Sequence, residues 1–190
     1  MLPHMYDFAR IQQLPLTVVL PTVVVEGTFQ AHIRRLTDVM NDPENAQLVL
    51  TDATFTDVMT GRTSPRMALA RIDTREALIA HTTVPTDGSE QQRNSKRPIR
   101  AILMIPPFTI RGAVHLVHDG ALRTSIMSLT DRWIPVTDAT YHAGGSPLGP
   151  RPVELIVVNN SKAHIAIATE DEWNDAPAGS RLQNAGASPW

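Results

Sequence analysis

Two aspartates occupy matched positions in this chain. Asp52 lies in Val-Leu-Thr-Asp-Ala-Thr-Phe (49–55) and Asp138 in Pro-Val-Thr-Asp-Ala-Thr-Tyr (135–141), 86 residues further on. Paired carboxylates could share acid–base work or hold a divalent ion. A plainer use fits the strand-like pattern around them. Asp52 falls on the same face as Leu48 and Leu50, where a carboxylate can accept from the backbone N–H groups of a turn or short helix. Each copy would need that acceptor independently, so the structural role is preferred.

The histidines offer a second constellation. His115 and His118 form His-x-x-His, with Asp119 adjacent and His142 beyond the next apolar run. Zinc accepts such ligands, but the stretch reads as a strand, where residues i and i+3 point to opposite faces. No metal site is expected. The loop Gly144-Gly145-Ser146-Pro147-Leu148-Gly149-Pro150 lacks the Gly-Lys-Ser/Thr ending of a phosphate loop and the Gly-x-Ser-x-Gly of a nucleophile elbow. Arg93, Lys96, Arg97 and Arg100 make the one basic cluster, suited to solvent, an acidic protein surface or anionic headgroups.

The elements that must position these residues are announced by the same 86-residue spacing. Leu36 matches Leu122, Ile72-Asp73 matches Val158-Asn159, and Ala77 and Ile79 match Ala163 and Ile165. Glu26-Gly27 matches Arg111-Gly112 at a spacing of 85, which requires a single one-residue indel. A small domain has therefore been duplicated, with Gly27 and Gly112 as shared structural positions. Reading in order, residues 1–15 form an arm, 16–82 the first copy, 83–99 a polar linker, 100–168 the second copy and 169–190 a tail.

Within copy one, 16–26 reads as a strand interrupted at Pro21, 28–33 as the next, and 34–41 as a short helix with Leu36, Val39 and Met40 on one face. Residues 47–56, 66–72 and 77–82 read as three more strands. Copy two repeats the programme, with Pro106-Pro107 at the corresponding interruption. The expected fold is mainly β: two tandem pseudo-symmetric five-stranded barrels, each with one short helix. Closure is favoured because an open five-stranded sheet leaves edges exposed. This order resembles that of SH3-like and Sm-like barrels. The segments 35–41 (Arg-Leu-Thr-Asp-Val-Met-Asn), 48–54 (Leu-Val-Leu-Thr-Asp-Ala-Thr) and 158–165 (Val-Asn-Asn-Ser-Lys-Ala-His-Ile) also resemble a family of uncharacterised bacterial small-barrel domains. That resemblance implies no particular activity.

Composition bounds the function. A net charge of −2 and few aromatic residues argue against nucleic-acid binding. The chain has no cysteine, which removes disulfides and thiolate chemistry. Its apolar runs are too short for a membrane helix, and its first residues lack the basic region and cleavage site of a signal peptide. The expectation is a cytoplasmic protein, or one on the cytoplasmic face of a membrane complex. The preferred reading is a non-enzymatic scaffold or accessory subunit that binds protein partners and needs no cofactor. A regulatory barrel binding a small ligand or nucleic acid stands second, and a metal-dependent enzyme using His115/His118 or Asp52/Asp138 third. Candidate partner-binding residues are Met5, Tyr6, Phe8 and Ile11 in the arm, Arg93, Lys96 and Arg97 in the linker, and Trp173 and Trp190 in the tail. These apolar residues have no counterpart in the repeat, and a buried aromatic can dominate an interface.

Overall fold

The computed structural model describes residues 11–32, 35–84, 96–117, 121–167 and Trp173. Copy one consists of β1 (Ile11–Val19), β2 (Val23–His32), α1 (Leu36–Asn41), β3 (Gln47–Asp57), β4 (Met67–Asp73) and β5 (Ile79–Thr82). Copy two repeats it as β6 (Lys96–Ile105), β7 (Phe108–Val117), α2 (Leu122–Met127), β8 (Trp133–Ala143), β9 (Arg151–Asn159) and β10 (His164–Ile167). The order of strands and helices recurs between the two halves, apart from a 3-10 turn at Pro43–Asn45 that the second half lacks among its described residues. Neither α1 nor α2 is long and apolar enough to cross a membrane.

The strands form one antiparallel sheet in the order β10-β6-β7-β8-β9-β5-β1-β2-β3-β4. Two separately closed barrels are not what the chain builds, since the sheet is continuous and open. The reason lies in the fifth strand of copy one. β5 pairs with β1 on one side and with β9 of the other copy on its second side, where Ile79, Ala80 and His81 face Val158, Val157 and Ile156. An edge that would otherwise need protection is satisfied by the neighbouring copy.

Two local readings also change. The proline at 21 does not interrupt a strand. It lies in the β1–β2 turn, closed by the Leu20 N–H donating to the Val23 carbonyl at 2.9 Å. Pro106-Pro107 likewise lies between β6 and β7. Proline presets the φ of a turn position, so it marked a reversal of the chain. The strand before each turn then begins earlier than expected. Ile11 opens β1 opposite His32, and Lys96 opens β6 opposite Val117.

The repeated aspartates mark a bulge. Along β2 and β3, Glu26 pairs with Thr54 and Thr28 with Thr51, so β3 carries an extra residue opposite Gly27. The β7–β8 ladder shifts identically around Gly112. Asp52 and Asp138 take left-handed backbone conformations there, with φ of 52° and 49°. Among non-glycine residues, aspartate is one of the types that tolerate this region. Both side chains are exposed, so the expected buried acceptor role gives way to a conformational one. Opposite each bulge the backbones approach closely. A Cβ on Gly27 would lie 3.0 Å from the Thr51 carbonyl oxygen, and one on Gly112 would lie 2.9 Å from that of Thr137.

The core ignores the boundary between copies. One cluster gathers Leu103, Ile110, Val136 and Tyr141 of copy two with Val19, Val58, Leu78 and Ile79 of copy one. The other packs Leu16, Leu36, Leu48 and Leu50 of copy one around Trp133 and Val157 of copy two. Each such side chain contributes about 1.5–3 kcal/mol on burial, so the copies stabilise each other.

Candidate functional site: the seam and the open ends

Side chains capable of chemistry converge where the copies meet. His81 on β5 is buried, and its Nε2 lies 3.1 Å from the Tyr141 hydroxyl on β8. Burial, with Arg151 adding to it, lowers the His81 pKa to about 4, so its imidazole is neutral at neutral pH. Burial raises the Tyr141 hydroxyl above its ordinary range, with Arg151 opposing. At the rim Arg151 pairs with Glu26 of β2 at 3.3 Å. A neutral imidazole and a protonated phenol are both far from titrating at neutral pH, so neither is tuned for proton transfer. What the pair can do is fix register, because each satisfies a polar atom of the other copy.

Other polar contacts serve the same seam. Asn41, the last residue of α1, lies against β8. Its Oδ1 accepts from the Trp133 N–H at 2.8 Å and its Nδ2 donates to the Trp133 carbonyl at 2.9 Å. Asn159 of β9 donates through Nδ2 to the Ala77 carbonyl at 2.9 Å. The Ser146 hydroxyl of the Gly/Pro loop donates to the Val58 carbonyl. That loop therefore joins the copies.

The two ends of the sheet differ from the seam and from each other. On one outer face of β3 and β4, Val49, Met67 and Leu69 are exposed, Leu69 to 66%. Near the opposite end, α2 has only Ser125 buried, whereas α1 buries Leu36, Val39 and Met40. Equivalent positions show the contrast: Leu36 is 0% exposed and Leu122 is 38%. The helix of copy one is covered because it lies over β8 and β9. α2 instead lies against its own β7 and reaches the core through a half-buried Ile126.

The residues singled out from sequence scatter across this frame. Met5, Tyr6, Phe8, Arg93, His118 and Trp190 lie outside the described residues. Ile11 gives its backbone to β1, and Lys96 and Arg97 belong to β6, so the basic cluster is partly strand. Trp173 rests on its own chain. Its carbonyl accepts from Arg111 Nη2 at 2.6 Å, and its ring lies 4.7 Å from the Arg111 guanidinium and 5.5 Å from that of Arg100. His115 Nε2 lies 2.9 Å from the Thr137 hydroxyl, and its pKa is lowered by burial and by Lys96, with Asp138 opposing. No group of metal-ligating side chains forms among the described residues.

Asn41, His81, Tyr141 and Trp133 of the seam were not found as a site from sequence, although a signal was present. At equivalent positions of the other copy stand Met127, Ala166, Phe55 and Gln47. A position that is polar in one copy and apolar in the other marks where the duplicates stopped having the same neighbours. No protein-family model, curated protein or solved structure matches this chain.

Proposed function

We propose that this protein is a non-enzymatic scaffold or accessory subunit that works through protein–protein contact. One observation carries the reading: the sheet ends in a strand, β4, whose outer face joins β3 in presenting Val49, Met67 and Leu69 to solvent. An edge strand with free N–H and C=O groups beside apolar side chains is a template for adding another strand. The seam supplies the rigid frame that presents it. Each copy's strands lie in the spatial order fifth, first, second, third, fourth, which supports the likeness to SH3-like and Sm-like barrels. The cytoplasmic setting rests on the sequence alone.

The test replaces Met67 and Leu69 together with aspartate and retrieves the tagged chain from its native cells after cross-linking. Both positions are exposed, so the fold and its melting temperature should be retained. Loss of the companions that wild type brings down supports the reading. Retention of every companion by a folded double variant overturns it.

A further inference from the structure

The seam inside this molecule is an edge-to-edge contact between unlike edges. The fifth strand of one copy, β5, pairs with the fourth strand of the other, β9, and the helix preceding β3 covers the joint. The same two kinds of edge terminate the sheet. β10 is a fifth strand and β4 a fourth strand, and each has one partner strand among the described residues. A contact between unlike patches does not use itself up on pairing, because every added unit presents the same two patches again.

Resting on the reading of a contact-making subunit, we propose that a second copy of this chain docks end to end, β4 of one chain against β10 of the next. The internal ladder sets the register. Thr82 lies opposite Leu16 as Ile167 lies opposite Ala101, so Ile79, Ala80 and His81 correspond to His164, Ile165 and Ala166, while Val158, Val157 and Ile156 correspond to Ile72, Arg71 and Ala70. His164 therefore faces Ile72, Ile165 faces Arg71, and Ala166 faces Ala70 of the neighbour.

Three observations point to this occupant. β10 has four residues, as β5 does, so the edge offered to the neighbour has the length that the internal seam uses. The exposed strip on β3 and β4 corresponds, through Val49, Met67 and Leu69, to Pro135, Val153 and Leu155, which are half-buried in copy two. The poorly covered helix α2 stands over the other end, with Met127 exposed to 76% where its counterpart Asn41 is held against Trp133. In the joint, α2 covers the neighbour's β3 and β4 as α1 covers β8 and β9. Leu122 and Met127 are then buried against that strip.

The joint is weaker than the seam. Arg71 stands where Val157 is buried, and its stem must lie along apolar neighbours while the guanidinium reaches water. Gln47 and Met127 replace the Trp133–Asn41 pair. Association is therefore reversible and depends on concentration.

The chain lacks cysteine, so introduced thiols report the contact directly. Arg71 is exposed and Ile165 half-buried, and residues facing each other across antiparallel strands have Cα atoms about 4.5–5.5 Å apart, within disulfide reach. Arg71→Cys and Ile165→Cys are made in separate chains, mixed and oxidised mildly, while the mass of the wild-type chain is followed through a dilution series. The expected result is a cross-linked dimer in the mixture, loss of that product when Ala68→Cys replaces Arg71→Cys, and wild-type mass that rises with concentration. Cross-linking of either single variant with itself as efficiently as in the mixture would mean pairing of like edges and overturns the proposal. So does a wild-type mass of one chain at every concentration with no cross-link. In that case the Met67/Leu69 double variant separates the two ideas: loss of its companions leaves the contact-subunit reading standing without self-association, and their retention removes both.

Discussion

Asn41 holds both backbone polar groups of Trp133, a residue 92 positions away in the other copy, through hydrogen bonds of 2.8 and 2.9 Å. Trp133 is itself fully buried in the core of copy one although it opens β8 of copy two. The contact makes the two copies one folding unit. Asn41→Ala leaves a backbone donor and acceptor without partners, which costs about 2 kcal/mol. Trp133→Ala costs roughly 3–5 kcal/mol through the cavity it leaves. Urea unfolding followed by both tryptophan fluorescence and circular dichroism checks this. Each variant should shift a single cooperative transition, and two separate transitions in the wild type would contradict the shared core.

The bulges make a prediction about backbone conformation. At Asp52 and Asp138, a left-handed φ in an L-residue costs about 1–2 kcal/mol unless a local polar side chain or glycine eases it. Replacement by valine should therefore destabilise by about that amount at either site. Replacement by asparagine or glycine should leave the melting temperature nearly unchanged, because the charge is not what the position requires. A loss with asparagine equal to that with valine would show that the carboxylate is needed after all.

Opposite those bulges the two glycines are not equally tight. A Cβ on Gly112 would meet Val136 Cγ1 at 2.6 Å, whereas on Gly27 the nearest atoms, Leu50 Cβ and the Thr51 oxygen, lie at 3.0 Å. Alanine at either position overpacks a sheet whose neighbouring backbone cannot withdraw, at about 1–3 kcal/mol. Gly112→Ala should be the more damaging of the two, measured by thermal unfolding. Equal melting temperatures would mean that the strands separate more easily than the geometry implies.

The recurrence of element order was legible because it needs only identities at constant spacing, and the strands because β-branched runs announce themselves. The helix faces were half legible. Leu36, Val39 and Met40 are buried as their spacing indicated, while the corresponding Leu122 is exposed. Local periodicity cannot say what lies over a helix. The same gap explains the closed-barrel expectation, since the partner of β5 is set by β9, more than seventy residues away in sequence. Pro21 and Pro106 read from sequence as breaks within strands because turn chemistry and strand interruption look alike without the pairing. The positive φ of Asp52 left only its repetition as a trace. From sequence alone that trace reads equally as a polar contact, because an aspartate serves both purposes.

The last prediction concerns pH. His81 sits in the seam facing Tyr141 of β8 and Arg151 of β9, with Glu26 of β2 paired to that arginine. Its pKa falls from 6.5 to about 4 on folding, chiefly through burial. The unfolded chain therefore binds more protons between those values, and stability rises with pH across that window. The contribution is fully present above pH 6.5 and is lost as pH falls towards 4, on the order of 3 kcal/mol in all. Asp57 and Asp73, held below the usual carboxylate range by hydrogen bonds from Thr60 and Arg75, act only at still lower pH. His81→Leu should flatten the slope between pH 6.5 and 4 while preserving the fold at neutral pH. Urea midpoints for both chains at several pH values measure it. An unchanged slope in the variant would place the acid sensitivity elsewhere, and His81 would then serve the seam as a packing group alone.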